Sequence, residues 1–191
     1  MKISTFSTFI ALVFAISCLF LIQPTHSTRQ KLSLLESTCK KTPHYHLCVF
    51  VIESHLQPLQ LRSGIDVTGY ARIALEVVAA NASVTLDHIV EIEKQSDDKK
   101  LKSSLGSCIV SYTKIVNELL PKALNCMDKS DYNCANRNAF IAGTLADSCE
   151  KKCKASSSAV MTDTNIYMKN LCSIAVSIIN QMAVPAKKTL A

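Results

Sequence analysis

The chain has 191 residues, 48% of them hydrophobic and 19% charged, which is enough apolar mass for one buried core, and no low-complexity segment or long linker divides it. Four glycines, no tryptophan and an Ala, Leu, Lys, Ser and Val habit point to helices and away from an all-β sandwich, which needs many glycine-bearing turns. A net charge of +6 is too dilute for nucleic-acid binding; it suits solubility, and retention near an anionic polysaccharide matrix.

The opening MKISTFSTFIALVFAISCLFLIQPTHS has Lys2 as its charged start, an apolar run from Phe9 to Ile22, and Thr25 and Ser27 where a signal peptidase reads small or hydroxylated residues. A signal peptide over residues 1–27 is expected to be removed, leaving a single domain over 28–191. A membrane anchor is disfavoured because the run is short for a bilayer span, carries Ser17 and ends in Gln23-Pro24. No membrane association is expected after cleavage.

Cleavage after Ser27 also removes Cys18 and leaves Cys39, Cys48, Cys108, Cys126, Cys134, Cys149, Cys153 and Cys172. An even number in an oxidising compartment predicts disulfides, although counting alone does not choose the pairs.

Residues 29–65 precede the long helices and contain TCKKTPHYHLC, residues 38–48. Cys39 and Cys48 flank Thr42-Pro43, a natural break between two short helices, so a bond between them would lock a helical hairpin and contribute about 2.5 kcal/mol in the chain-entropy model. Cys39, His44, His46 and Cys48 nominally offer four zinc or copper ligands, but the spacing matches no common finger and the compartment favours oxidation. No metal is expected. His44 and His46 read as solvated hairpin side chains, with pH sensing at a partner contact as the functional alternative.

A four-helix bundle is expected over residues 66–184. Asp66 is a plausible N-cap for a helix of about 28 residues, with Ala74, Val77, Val78, Asn81, Ala82, Thr85, His88, Ile89 and Ile92 recurring at three- and four-residue steps up to the turn at Gln95 to Asp98. His88 reads as a packing residue. Leu101, Leu105, Cys108, Tyr112, Ile115 and Leu119 form a second stripe, expected to stop near Pro121 or shortly after. A third runs Ala135, Ala139, Ala142, Ala146, Cys149, small enough for close helix approach. A fourth starts behind a cap at Thr162-Asp163 and carries Met168, Leu171, Cys172, Ala175, Ile178, Ile179 and Met182. Short polar connections make this an all-α, up-and-down bundle. Cys108 and Cys149 both face inward on antiparallel neighbours, and a bond between them would add roughly 4 kcal/mol.

Catalysis is not expected. There is no phosphate-binding glycine loop, no Gly-x-Ser-x-Gly elbow and no His-Glu-x-x-His, and Glu91, Glu93, Asp97 and Asp98 read as a solvated helix end. No cofactor is expected. Asn81-Ala82-Ser83 is an N-glycosylation sequon, set against the placing of Asn81 on the inward stripe of a helix.

The leader, TCKKTPHYHLC, the four amphipathic stripes and DSCEKKC closing the third resemble the plant invertase inhibitor and pectin methylesterase inhibitor family. The resemblance runs from Leu35 to Ala183. Its markers are the first cysteine pair, Asp66-x-x-Gly69, Cys108-x3-Tyr112 and Asp147-x-Cys149-Glu150. It implies a four-helix bundle preceded by a helical hairpin, bonds Cys39–Cys48 and Cys108–Cys149, and a free buried thiol at Cys172. Cys126, Cys134 and Cys153 depart from the family's usual set. Cys126 and Cys134 flank the turn MDKSDYN, so a local third bond is expected there, leaving Cys153 either to pair with Cys172 or to stay reduced with it.

The resemblance further implies that the chain is not itself an enzyme but binds one, pectin methylesterase or acid invertase, one to one with its substrate cleft covered, and that it is monomeric when free and secreted to the apoplast and cell wall or carried to the vacuole. Several invertase inhibitors of the family carry Gly-Asp-Pro-Lys-Phe where this chain reads Ser130-Asp131-Tyr132-Asn133-Cys134, so only the aspartate is kept; TCKKTPHYHLC, by contrast, is closer to the invertase branch. Asp131, Tyr132 and Asn133 are the candidate target contacts. The rival reading is a non-inhibitory secreted bundle that binds an apolar ligand or serves as an interaction module; a void beside the small-residue stripe would mark ligand binding.

Overall fold

The structure, a computed structural model, describes residues 34–56, 64–156 and 158–182. The expected leader lies outside the described residues, as do parts of the two segments expected to flank the bundle. Every regular element among the described residues is helical: α1 (34–39), α2 (Tyr45–His55), α3 (Val67–Gln95), α4 (Lys99–Lys114), a π-helical segment Ile115–Leu119, α5 (Leu120–Asp128), α6 (Tyr132–Ala155) and α7 (Thr162–Asn180).

The fold is an up-and-down four-helix bundle preceded by a stapled hairpin. Helix α3, the continuous rod α4–π–α5, α6 and α7 form the four sides, with α3 packed on the rod and on α7, and α6 packed on the same two from the other side. Antiparallel neighbours are pinned near their ends. Ser104 Oγ at the start of α4 donates to the Lys152 carbonyl at the end of α6 at 3.1 Å, and Asn136 Nδ2 at the start of α6 donates to Asn180 Oδ1 at the end of α7 at 2.8 Å.

Asp66 caps α3, its carboxylate accepting from Gly69 N at 2.9 Å, and Asp98 caps α4 by accepting from Lys100 N and Leu101 N at 2.8 and 3.2 Å. By length and composition α3 could cross a bilayer. Its apolar face instead closes the bundle, with Tyr70, Ala71, Leu75, Val78, Ala82 and Ile89 fully buried. Close packing on α6 comes from Ala135, Ala139, Ala142 and Ala146, all buried, and from Gly143, where an added Cβ would meet Cys172 Cβ at 3.0 Å. At that point the two helices are in contact, with no room for a larger residue.

Two sequence expectations about helix ends are corrected. The second stripe does not stop at or shortly after Pro121 but runs two turns beyond it, to Asp128. Proline lacks the N–H of an α-helical bond and its ring crowds the carbonyl four residues back. The π segment widens the turn there, with Leu120 N–H donating to the Ile115 carbonyl, five residues back, so the helix passes through the proline. Helix α7 begins at Thr162 itself, behind Met161, with no side-chain cap; the Thr162 hydroxyl donates instead to Glu150 Oε1 on α6 at 2.8 Å. Thr162 lies inside the first turn and not ahead of it, out of the N-cap position from which a hydroxyl oxygen accepts a helix N–H.

In the hairpin, Cys39 and Cys48 are bonded across Lys40 to Leu47. Thr42 Oγ1 donates to the Cys39 carbonyl at 2.8 Å, closing the turn. Leu35, Val51 and Ile52 bury against the bundle, and Gln181 Nε2, just past α7, donates to the Thr38 carbonyl at 3.1 Å.

Candidate functional site

The turn from α5 to α6 is built to be rigid. Asp131 N–H donates to the Cys126 carbonyl at 2.9 Å and Ser130 N–H to the Met127 carbonyl at 3.0 Å. Ser130 takes a left-handed φ of 57°, uncommon for a residue with a Cβ and sustained only where the surroundings fix it. The Asp131 carboxylate then caps α6 by accepting from Cys134 N at 3.0 Å, and the Cys126–Cys134 disulfide closes the turn, with the cysteines eight positions apart. Asp131 and Asn133 are exposed and Tyr132 is half-buried. Asp131 is therefore partly spoken for by its capping bond.

From Asn133 the outer face of α6 continues through Arg137 and Phe140, one and two turns on, all exposed. Phe140 keeps 62% of its surface in solvent, so it is available to a partner. The sequence reading missed both residues. The signal was present: Phe140 is a large aromatic on the side opposite the alanine stripe, where helical periodicity calls for polar residues.

Beside Phe140 a shallow groove of about 290 Å³ runs between α6 and α7, with Gly143, Asp147, Lys169 and Cys172 in its wall. Asp147 bridges the two helices, accepting from Lys169 Nζ at 2.6 Å and Lys151 Nζ at 2.7 Å. Those hydrogen bonds, from Lys151 and then Lys169, hold its carboxyl down to about 2. Cys172 is a free thiol, pushed up to about 12 by burial and therefore unreactive.

A second polar system lies inside the bundle. Tyr112 OH donates to Asn165 Oδ1 at 2.9 Å, Asn165 Nδ2 to Glu150 Oε2 at 3.4 Å, and Thr162 and Lys154 hold Glu150 Oε1 at 2.8 and 3.0 Å. Burial opposes the Glu150 charge, but the hydrogen bonds from Lys154, Thr162 and Asn165 prevail and its carboxyl sits below the ordinary value. Burial raises Tyr112, with smaller contributions from Cys172, Cys153 and Glu150, so it stays a protonated donor. Among the described residues no buried side-chain polar atom lacks a partner. The network ties α4, α6 and α7 together.

The remaining cysteines and histidines can be placed. Cys108 on α4 is bonded to Cys149 on α6, with a Cα–Cα distance of 5.0 Å. Cys153, one turn further on α6, is a buried free thiol, as is Cys172. Sulfurs that could hold a metal with Cys108 or with Asp131 are thus largely engaged in disulfides, as they are in the hairpin at Cys39 and Cys48. His44 is half-buried ahead of α2, and His46 is exposed with its ring edge-on to Tyr45 at 5.1 Å. His88, expected to pack, is exposed, because α3 turns that part of its stripe toward a groove beside α7 rather than toward a helix. Asn81, half-buried, lines the same groove, and its Nδ2 donates to the Val77 carbonyl at 2.8 Å.

Comparison with known proteins agrees with this architecture. An Arabidopsis thaliana protein named cell wall / vacuolar inhibitor of fructosidase 1 is 30% identical over 118 residues, which are 62% of this chain and 55% of that protein; the chain spans about half the length of this curated relative. Two crystal structures share the fold. A mutant form of a pectin methylesterase inhibitor from Arabidopsis superposes with a TM-score of 0.67 at 22% identity, covering 80% of this chain and 98% of the other. A pectin methylesterase inhibitor from Arabidopsis thaliana gives 0.59 at 23%, covering 81% and 98%. The model of the family described as plant invertase/pectin methylesterase inhibitor matches residues 33–178, most of the sequence and every helix of the bundle. The chain belongs to the plant invertase/pectin methylesterase inhibitor family.

Proposed function

We propose that this chain is a secreted proteinaceous inhibitor that binds a carbohydrate-active enzyme, either pectin methylesterase or acid invertase, and covers its substrate cleft. It is not itself an enzyme. The observation that carries the contact surface is the stapled turn: a disulfide, a capping aspartate and a left-handed Ser130 hold Tyr132 and Asn133 in one conformation at the end of the bundle. A surface fixed before encounter loses little conformational entropy on docking, which favours tight one-to-one binding. Arg137 and Phe140 extend that surface along α6.

The family match supports an inhibitor, and the fructosidase-inhibiting relative supports the invertase arm, in the wall or the vacuole. Loss of the Pro-Lys-Phe group at the turn leaves room for the pectin methylesterase arm. The contact of α6 with α7 at Gly143, which leaves only a shallow open groove beside it, favours this reading over a ligand-carrying bundle. The free protein is a monomer.

The deciding experiment titrates a purified plant pectin methylesterase and a purified plant acid invertase with the oxidised protein, between about pH 4.5 and 7, a window that spans histidine ionisation. Stoichiometric loss of one activity assigns the target. Unchanged activity of both enzymes, with protein shown to be folded, removes the inhibitor reading for these targets.

A further inference from the structure

We propose that Asn81 carries an N-linked glycan whose first sugar lies in the groove between α3 and α7. The inference rests on the secretory reading of the chain. The sequon Asn81-Ala82-Ser83 sits in mid-helix, where a glycan is ordinarily unwelcome because a packed helix face has no room for it. The structure removes that objection. Asn81 opens onto a groove of about 370 Å³ bordered by Val84, His88, Asp163, Thr164 and Tyr167, space enough for one pyranose ring with the outward side left to solvent for the rest of the chain of sugars.

The groove chemistry suits a sugar. Tyr167 is 38% exposed and offers an aromatic ring to a pyranose face, while Asp163, Thr164 and His88 offer donors and acceptors to its hydroxyl and acetamido groups. Val84, 70% exposed, is apolar surface that a bound sugar would cover. The hydrogen bond from Asn81 Nδ2 to the Val77 carbonyl is compatible with modification, since an amide nitrogen bonded to a sugar keeps one N–H.

The transfer takes place while the chain enters the secretory lumen, before the helix forms. The donor is a lipid-pyrophosphate-linked oligosaccharide. Asn81 Nδ2 forms the bond to C1 of the first N-acetylglucosamine, the C1–O bond breaks with its electron pair leaving on the pyrophosphate, and one amide proton passes to a base of the transferase. Folding then closes α7 beside the attached sugar. Because α3 stands diagonally across the bundle from α6, the glycan occupies a face that the turn and the outer side of α6 do not share. A target enzyme therefore meets the protein from the α6 side.

The test uses the full chain expressed in plant cells, with the tryptic peptide spanning residues 73–94 analysed by mass spectrometry before and after peptide-N-glycosidase A. The expected result is a glycopeptide at Asn81 that is absent from Ser83→Ala, an exposed position whose loss leaves folding intact. Glycosylated protein should melt about 2–4 °C above Ser83→Ala, and the difference should shrink by more than half when both also carry Tyr167→Ala. Unmodified Asn81 in oxidised, secreted protein overturns the glycan. Unmodified Asn81 in reduced protein retained in the cytosol overturns it together with the secretory reading. A glycan whose presence leaves the melting temperature unchanged overturns the groove as its seat.

Discussion

Cys153 Sγ lies 3.8 Å from Cys108 Sγ, the sulfur already bonded to Cys149. Cys149 and Cys153 are one turn apart on α6, so both face the same point on α4, and Cys108 has two partners within reach. Attack by the Cys153 thiolate on Cys108 would form a Cys108–Cys153 bond and release Cys149 as the new thiolate, with no external oxidant.

Burial, and then the Glu150 charge, raise the Cys153 pKa, so little thiolate exists in acid and exchange accelerates as pH rises, about tenfold per unit below the pKa. Protein held near pH 9 and quenched in acid should therefore accumulate the Cys108–Cys153 isomer on nonreducing peptide maps, while protein held at pH 5 should not. Cys153→Ser should retain only Cys108–Cys149 at both. A map unchanged after hours at alkaline pH would show that packing holds the sulfurs apart.

Tyr112→Phe keeps the ring and removes the donor to Asn165 Oδ1. Asn165 is 1% exposed, so water does not replace the bond. The expected loss is about 1–3 kcal/mol of stability by urea denaturation. A loss under about 0.5 kcal/mol would mean that the Tyr112–Asn165 bond contributes little to joining α4 and α7.

Glu150 gives the network a pH dependence. A carboxyl held below its ordinary value contributes stability that is complete above the unfolded pKa, about 4.3 for glutamate, and lost as pH falls through the folded value. Glu150→Gln should melt several degrees below the parent at pH 5 to 7, and the two curves should converge in stronger acid. A gap that persists at pH 2 would assign the effect to shape and not to charge.

The turn separates stability from binding. Replacing Cys126 and Cys134 together by serine removes an eight-residue cross-link and should cost about 2.5 kcal/mol in the chain-entropy model, with slower and weaker inhibition as the turn loosens. Phe140→Ala removes exposed surface only, so its melting temperature should stay within about 2 °C of the parent while inhibition weakens about tenfold or more. Unchanged inhibition by the alanine variant would place the target contact elsewhere.

The helices and most of their inward faces were legible locally, because a 3.6-residue period of apolar side chains is a local property: Ala135, Ala139, Ala142 and Ala146 are buried as their spacing requires. Asp66 announced its helix start for the same local reason. Whatever depends on distances between segments was settled by packing. Cys149 and Cys153 occupy equivalent places on the helical wheel, and the axial register of α6 against α4 selects the first as the partner of Cys108. Thr162 looked like a cap, but it lies inside the first turn and its hydroxyl donates to Glu150 on α6. His88 and Asn81 lay on an inward stripe until the spacing of α3 and α7 opened a groove there. Pro121 read as a stop because the cost of proline in an α-helix is local, while the packing that favours a continuous rod, and the π turn that permits it, are not.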